Sequence, residues 1–168
     1  MQLEYFKKNI LPQKDRMFRL AMCVLHSKEE AEDIVQDAMM KIWNGGQEID
    51  NPAGYCTIVA KNLALDRLRQ KKNQTNMMQI EDIPQIAETD MPFQALEKNE
   101  KLNLLEQLIA KLPERKRILI QLRDIEGESY KRIAEMLDIT ESLVKTDLFR
   151  ARQELKQYYT NIDSYERF

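Results

Sequence analysis

Ala31-Glu32-Asp33-Ile34-Val35-Gln36-Asp37-Ala38-Met39-Met40-Lys41-Ile42-Trp43 is the stretch whose pattern decides the fold class of this chain. Its apolar residues, Ala31, Ile34, Val35, Ala38, Met39, Ile42 and Trp43, fall three and four positions apart, which lines one face of an α-helix. A half-buried strand would need apolar and polar residues to alternate, and strand-like alternation is hard to find anywhere in the chain. Opposite the apolar face, Glu29, Glu30, Glu32, Asp33, Gln36 and Asp37 form a polar side. That surface reads either as a docking face for a basic protein or as an ordinary solvated face with acids near the positive end of a helix.

Working outward, Met17, Leu20, Ala21, Val24 and Leu25 predict an earlier helix that ends near His26 and Ser27, with Ser27 placed to cap the next one. The two make a helical hairpin. Beyond Trp43, the turn formers from Asn44 to Asn51 predict a loop, and Pro52 suits the first turn of a third helix, roughly Pro52 to Lys72. That helix is apolar nearly all round through Tyr55, Ile58, Val59, Leu63 and Leu65. It is expected to be buried in its first half and basic at its end, where Lys61, Arg67, Arg69, Lys71 and Lys72 stand against Asp66. The basic end suits phosphate contact, and equally suits a helix C-terminus whose macrodipole favours cations.

Residues 73–97 hold five acidic and no basic side chains, with Pro84 and Pro92 and no sustained helical period. This composition reads as a linker. The expected organisation is therefore a first domain at 1–72, an acidic linker at 73–97, a second domain at 98–160 and a tail at 161–168. The second domain opens near Glu97 with Leu105, Leu108, Ile109 and Leu112, is interrupted at Pro113, and resumes through Ile118, Leu119, Leu122 and Ile125 to Gly127. A short helix with Ile133, Ala134 and Leu137 follows, then a tight Asp138-Ile139-Thr140 connection and a longer helix carrying Val144, Leu148, Ala151 and Leu155. This is a helix-turn-helix pattern: Ala134 is small enough for the helices to cross closely, and Thr140 can cap the second.

The 168 residues are 43% hydrophobic and 32% charged, enough for two small all-helical units. Met1 to Leu11 has no apolar run of signal-peptide length, and no stretch reaches the roughly 20 apolar residues of a membrane span. A cytoplasmic protein without membrane insertion is expected. Cys23 and Cys56 sit singly in apolar patterns with only His26 as another soft ligand, so buried free thiols are expected and no metal. One histidine, no phosphate-binding glycine loop and no recognisable nucleophile arrangement argue against an enzyme and against a cofactor. A formal net charge of −2 would ordinarily discourage nucleic-acid binding, but the acidity is concentrated in 73–97, and both flanking segments are net basic.

If Val144, Leu148, Ala151 and Leu155 face the core, then Ser142, Lys145, Thr146, Phe149, Arg150 and Arg152 occupy the outer and flanking faces of the last long helix. Cations and hydroxyls there can donate to guanine edges or phosphates, and an exposed ring can lie on a thymine methyl. Alternatively the face is merely solvated, with Phe149 in the core. Helix-turn-helix patterns serve many regulators, so this one establishes a binding class and not a mechanism.

In order along the chain, these segments resemble the extracytoplasmic-function group of the sigma-70 superfamily. Ala31 to Asp37 is similar to its region 2.2, and Ile58-Val59-Ala60-Lys61-Asn62-Leu63-Ala64-Leu65-Asp66-Arg67-Leu68-Arg69 to regions 2.3 and 2.4. Leu112-Pro113-Glu114-Arg115, the segment Gly127 to Ala134, and Val144 to Arg152 resemble region 4. The resemblance implies that Asp33, Gln36 and Asp37 grip the largest subunit of core RNA polymerase. It implies that Gly45, Ile49, Asn62, Arg67 and Arg69 serve the minus-10 element, the loop from Gly45 to Ile49 receiving an extruded base. Ser142, Lys145, Thr146, Phe149, Arg150 and Arg152 would face the minus-35 element of promoter DNA, and a membrane-bound anti-sigma factor would mask the free protein. Two positions depart from the family pattern. Asp138 replaces the usual turn glycine, although Asp tolerates the left-handed conformation better than most residues. Asp147 stands where a basic residue is common, and there it would repel phosphate unless it accepts from cytosine or pairs with a neighbouring Arg.

Overall fold

The computed structural model describes residues 1–77 and 100–166, which are helical apart from short turns, with no strand among them. The chain divides into two compact units, Met1–Asn73 and Gln74–Phe168.

Unit 1 begins with a segment in which no helix was expected. A turn, α1 (Leu3–Tyr5), runs into a π-helical stretch at Phe6–Ile10 and a 3-10 turn at Leu11–Gln13. Pro12 lies in that turn; it lacks an amide proton and its ring crowds the preceding carbonyl, so regular α-geometry is not kept there. Helix α2 (Lys14–Leu25) ends at His26, whose φ of 54° is left-handed, and Ser27 then caps α3 by accepting from the Glu30 amide at 3.3 Å. Helix α3 (Lys28–Gly45) runs two residues past Trp43, into the predicted loop, and stops at Gly46, whose φ of +69° is strained for any residue with a Cβ. Helix α4 (Pro52–Met77) has Pro52 as its first residue, while the Asn51 side chain accepts from the Gly54 amide at 3.1 Å. It continues five residues beyond 72, so 73–77 are helix and not linker; the rest of the expected linker lies outside the described residues.

The core of unit 1 joins Ile10, Met17, Val35, Ala38, Ile42, Cys56, Val59 and Ala60. Each fully buried Ile contributes about 1.5–3 kcal/mol through removal from water. The first half of α4 is buried as expected, with Val59 inside, but most of its other large apolar residues are not what is covered. Tyr55 is 41% exposed and Ile58, Leu63 and Leu65 are half-buried, whereas Cys56, Ala60 and Ala64, four apart, are wholly covered. A stripe of small side chains lets a helix backbone approach its neighbours closely, and hydropathy alone does not single it out.

Unit 2 is built from α5 (Glu100–Ala110), α6 (Glu114–Ile120), a π-helical stretch at Gln121–Ile125, α7 (Tyr130–Leu137) and α8 (Glu141–Glu166). Pro113 precedes α6, and Gly127 turns the chain with φ +73°. Leu108, Leu112, Ile118, Leu119, Leu122, Ile133, Ala134, Val144, Leu148 and Ala151 form its interior. Leu105 and Ile125, expected inside, are exposed, and Met136 is buried more deeply than Leu137. Ser129 caps α7 by accepting from Arg132 N–H at 3.2 Å, and Asp138 ends it with φ 53° and ψ 51°. The Ile139 amide reaches back to the Ala134 carbonyl at 3.0 Å, and Thr140 Oγ1 accepts from the Leu143 amide at 3.1 Å, capping α8. Helix α8 absorbs most of the expected tail, running through 161–166.

Candidate functional site

The interior of α8 is set by Val144, Leu148 and Ala151, so the remaining faces are directed outward. Ser142, Lys145, Thr146, Phe149, Arg150 and Arg152 occupy them, and all six are exposed. Phe149 is 61% exposed, which removes the alternative that it fills the core. Thr146 donates its hydroxyl to the Ser142 carbonyl at 2.9 Å, and the Lys145 ammonium stands 5.6 Å from the Tyr130 ring centroid, a ring that also carries the Arg123 guanidinium at 4.3 Å. Arg152 differs from the others. Its guanidinium donates to both oxygens of Asp124, at 3.2 and 2.5 Å, and that hydrogen bond pushes its pKa further up. It is a committed brace on the flank of the face.

Asp147 is the departure whose alternatives the structure separates. It faces Arg115 of α6 at 3.1 Å and its side chain is only 14% exposed, so its charge is neutralised inside the unit. Lys116 pairs with Glu154 further along the same packing of α6 against α8.

In unit 1 the two charged features lie beside each other. Asp33, Gln36 and Asp37 line α3, Asp33 and Asp37 among its outward residues. Asp37 accepts a salt bridge from Arg67 of α4 at 3.6 Å, and Glu30 pairs with Lys71. Arg69 pairs with Asp66 at 3.3 Å on its own helix. Asn62 is exposed. Lys61, grouped with the phosphate-contacting cations, is corrected: it is 8% exposed, and its pKa is lowered by burial first and by the nearby Arg69 charge second. Burial of an ammonium so close to the core makes it part of the packing and not of an outward basic patch.

Gly45 ends α3 in open space, and Ile49 is half-buried. The loop between them is tied to a residue that sequence reasoning passed over. Tyr5 donates its hydroxyl to the Ile49 carbonyl at 2.8 Å and accepts from the Ile49 amide at 2.9 Å. The Met1 nitrogen donates to the Gly46 carbonyl at 2.9 Å. No spacing rule links Tyr5 to Ile49; 44 positions of sequence separate them.

Cys56 is buried, and burial pushes its thiol up to about 11, whereas Cys23 is half-buried and not fully enclosed as expected. No group of three or more metal-ligating side chains occurs among the described residues, and none of their helices is long and apolar enough to cross a membrane.

Family models described as sigma-70 region 2 and sigma-70 region 4 match residues 13–74 and 102–155. The chain is 31% identical over 160 residues to the ECF RNA polymerase sigma factor SigW of Bacillus subtilis, covering 86% of this chain and 83% of that protein. It is also 31% identical over 147 residues to the RNA polymerase sigma factor YlaC of the same organism, with 84% of each covered. The fold resembles the sigma factor RpoE solved in complex with the anti-sigma factor NepR from Bartonella quintana, with a TM-score of 0.74 at 22% identity over 92% of this chain and 96% of that one.

Proposed function

The chain belongs to the extracytoplasmic-function group of the sigma-70 family, and from that premise we propose how its two units share promoter recognition. As an RNA polymerase sigma factor it directs core polymerase to promoter DNA and transcription initiation. Residues 1–77 act as the region 2 domain, the acidic stretch from there to 97 as a tether, and 98–166 as the region 4 domain.

In the second domain, Ser142, Lys145, Thr146, Phe149 and Arg150 read the minus-35 duplex, with Arg152 bracing them. In the first, Asp33, Gln36 and Asp37 hold the largest polymerase subunit. Gly45, Ile49, Asn62, Arg67 and Arg69 serve the opened minus-10 strand. The chain performs no bond chemistry. Capture of an extruded base offsets an unstacking cost on the order of a few kcal/mol. The protein works in the cytoplasm, and an anti-sigma factor masks it when free, as NepR is bound to the solved relative.

One observation carries this reading: Phe149 stands well exposed beside Arg150, on a helix whose start is capped by Thr140 behind a left-handed Asp138. A ring and a cation projecting from a firmly capped helix suit a major groove. The test is in vitro transcription by purified core polymerase over a promoter library, with and without the chain. Start-site selection that appears only when the chain is added is expected; no selection on any template overturns the reading.

A further inference from the structure

Residues 1–12 precede the stretch matched by the region 2 model, which begins at residue 13, yet they are built into unit 1. Met1, Tyr5 and Phe6 pack against its core together with Ile49. Phe6 meets Trp43 edge-to-face at a centroid distance of 5.3 Å, which steadies the end of α3 just before the loop departs. At the loop's far side the Tyr5 hydroxyl holds both polar groups of Ile49. An exposed segment from Asn44 to Glu48 is thus gripped at each end by the same short N-terminal segment.

We propose that Tyr5 is a positioning residue for the loop from Gly45 to Ile49, and through it a determinant of base preference at the minus-10 element. This rests on the reading of that loop as the receiver of an extruded base. A pocket that discriminates bases must keep its donors and acceptors within a fraction of an ångström, and an exposed loop does so only when something rigid fixes its backbone. Tyr5 supplies that rigidity from a half-buried ring seated on the core, with one hydroxyl satisfying a donor and an acceptor of the same residue.

Tyr5→Phe keeps the ring and deletes both hydrogen bonds. Reconstituted holoenzyme carrying it is tested on promoters with single-base changes in the minus-10 element, and on one carrying 2-aminopurine at the extruded position. Core affinity and the upstream footprint are measured beside these. The expected result is a fall of about two- to tenfold in preference for the best minus-10 base, the range that the net contribution of one hydrogen bond corresponds to, and a reduced 2-aminopurine response. Core affinity and the upstream footprint stay unchanged. A loop variant, Gln47→Ala with Glu48→Ala, tests the underlying reading. If it alters base preference while Tyr5→Phe does not, the positioning role is overturned and the loop reading stands. If neither alters preference, the loop reading falls and takes the proposal with it. Equal losses in all readouts for Tyr5→Phe make it a purely structural residue and overturn the proposal.

Discussion

The end of α4 and the outer face of α8 carry similar cations but keep them in different states. On α8, two acids are turned toward cations of α6: Asp147 to Arg115 and Glu154 to Lys116. Arg152 is held by Asp124, while Lys145, Phe149 and Arg150 stay exposed. On α4, the acids of the neighbouring helix reach across to the cations themselves, Asp37 to Arg67 and Glu30 to Lys71. A cation already paired in place offers less to a phosphate, because the pair must be loosened before the phosphate gains anything. Composition therefore misleads about availability. The second unit leaves Lys145 and Arg150 exposed, whereas in the first Arg67, Arg69 and Lys71 are each paired with an acid of the same unit.

The largest effect expected from this contrast follows Lys145→Ala with Arg150→Ala. Each base contact contributes about 1–3 kcal/mol of discrimination, so binding to the upstream element drops by about 2–6 kcal/mol in footprinting at fixed salt. The dependence on salt also flattens, by roughly one unit of slope for each phosphate that the chain ceases to neutralise. An unchanged upstream footprint breaks the comparison at its stronger side. Next comes Asp33→Ala with Asp37→Ala, which weakens association with core polymerase by about 1.5–3 kcal/mol, the range for hydrogen bonds to charged groups. Titration of labelled chain against core enzyme measures it, and binding of the minus-35 duplex does not move. Equal effects on both would erase the division of labour.

Smaller is Thr140→Ala, which removes the cap of α8 and lowers the stability of unit 2 by about 1 kcal/mol. Denaturant unfolding followed through probes in each unit registers the loss in unit 2 alone. Smallest is the coupling of Arg67 and Asp37 in a double-mutant cycle for unit 1 stability. With the side chains 31% and 53% exposed, it stays below about 1 kcal/mol and fades with added salt. A coupling several times larger would mean that α3 and α4 depend on that pair, and that unit 1 is less like an ordinary solvated charge face than the contrast requires.

Much of this was legible from residue types and spacing because it depends on local rules. The 3.6-residue period located α2, α3 and α8, Ser27 and Thr140 announced the caps of α3 and α8, and Asp138 was acceptable in the turn because its short side chain tolerates positive φ. The outward placement of Phe149 followed from Val144, Leu148 and Ala151 taking the core. Illegible features depended on what arrives from elsewhere in the chain. Cys56, Ala60 and Ala64 are buried because neighbouring helices approach closely, and Lys61 is drawn in with them. Asp147 and Arg152 each took a partner more than twenty residues away.

The order of residues was enough to specify helices, their caps and two separate apolar interiors, since each of these is settled within a turn or two of backbone by periodicity and hydrogen bonding. It could not specify which charges would neutralise one another or which side chain would anchor an exposed loop. Arg67 and Asp37, and Tyr5 and Ile49, meet only after packing brings distant segments within about 3–4 Å, where ion pairs and hydrogen bonds begin to operate.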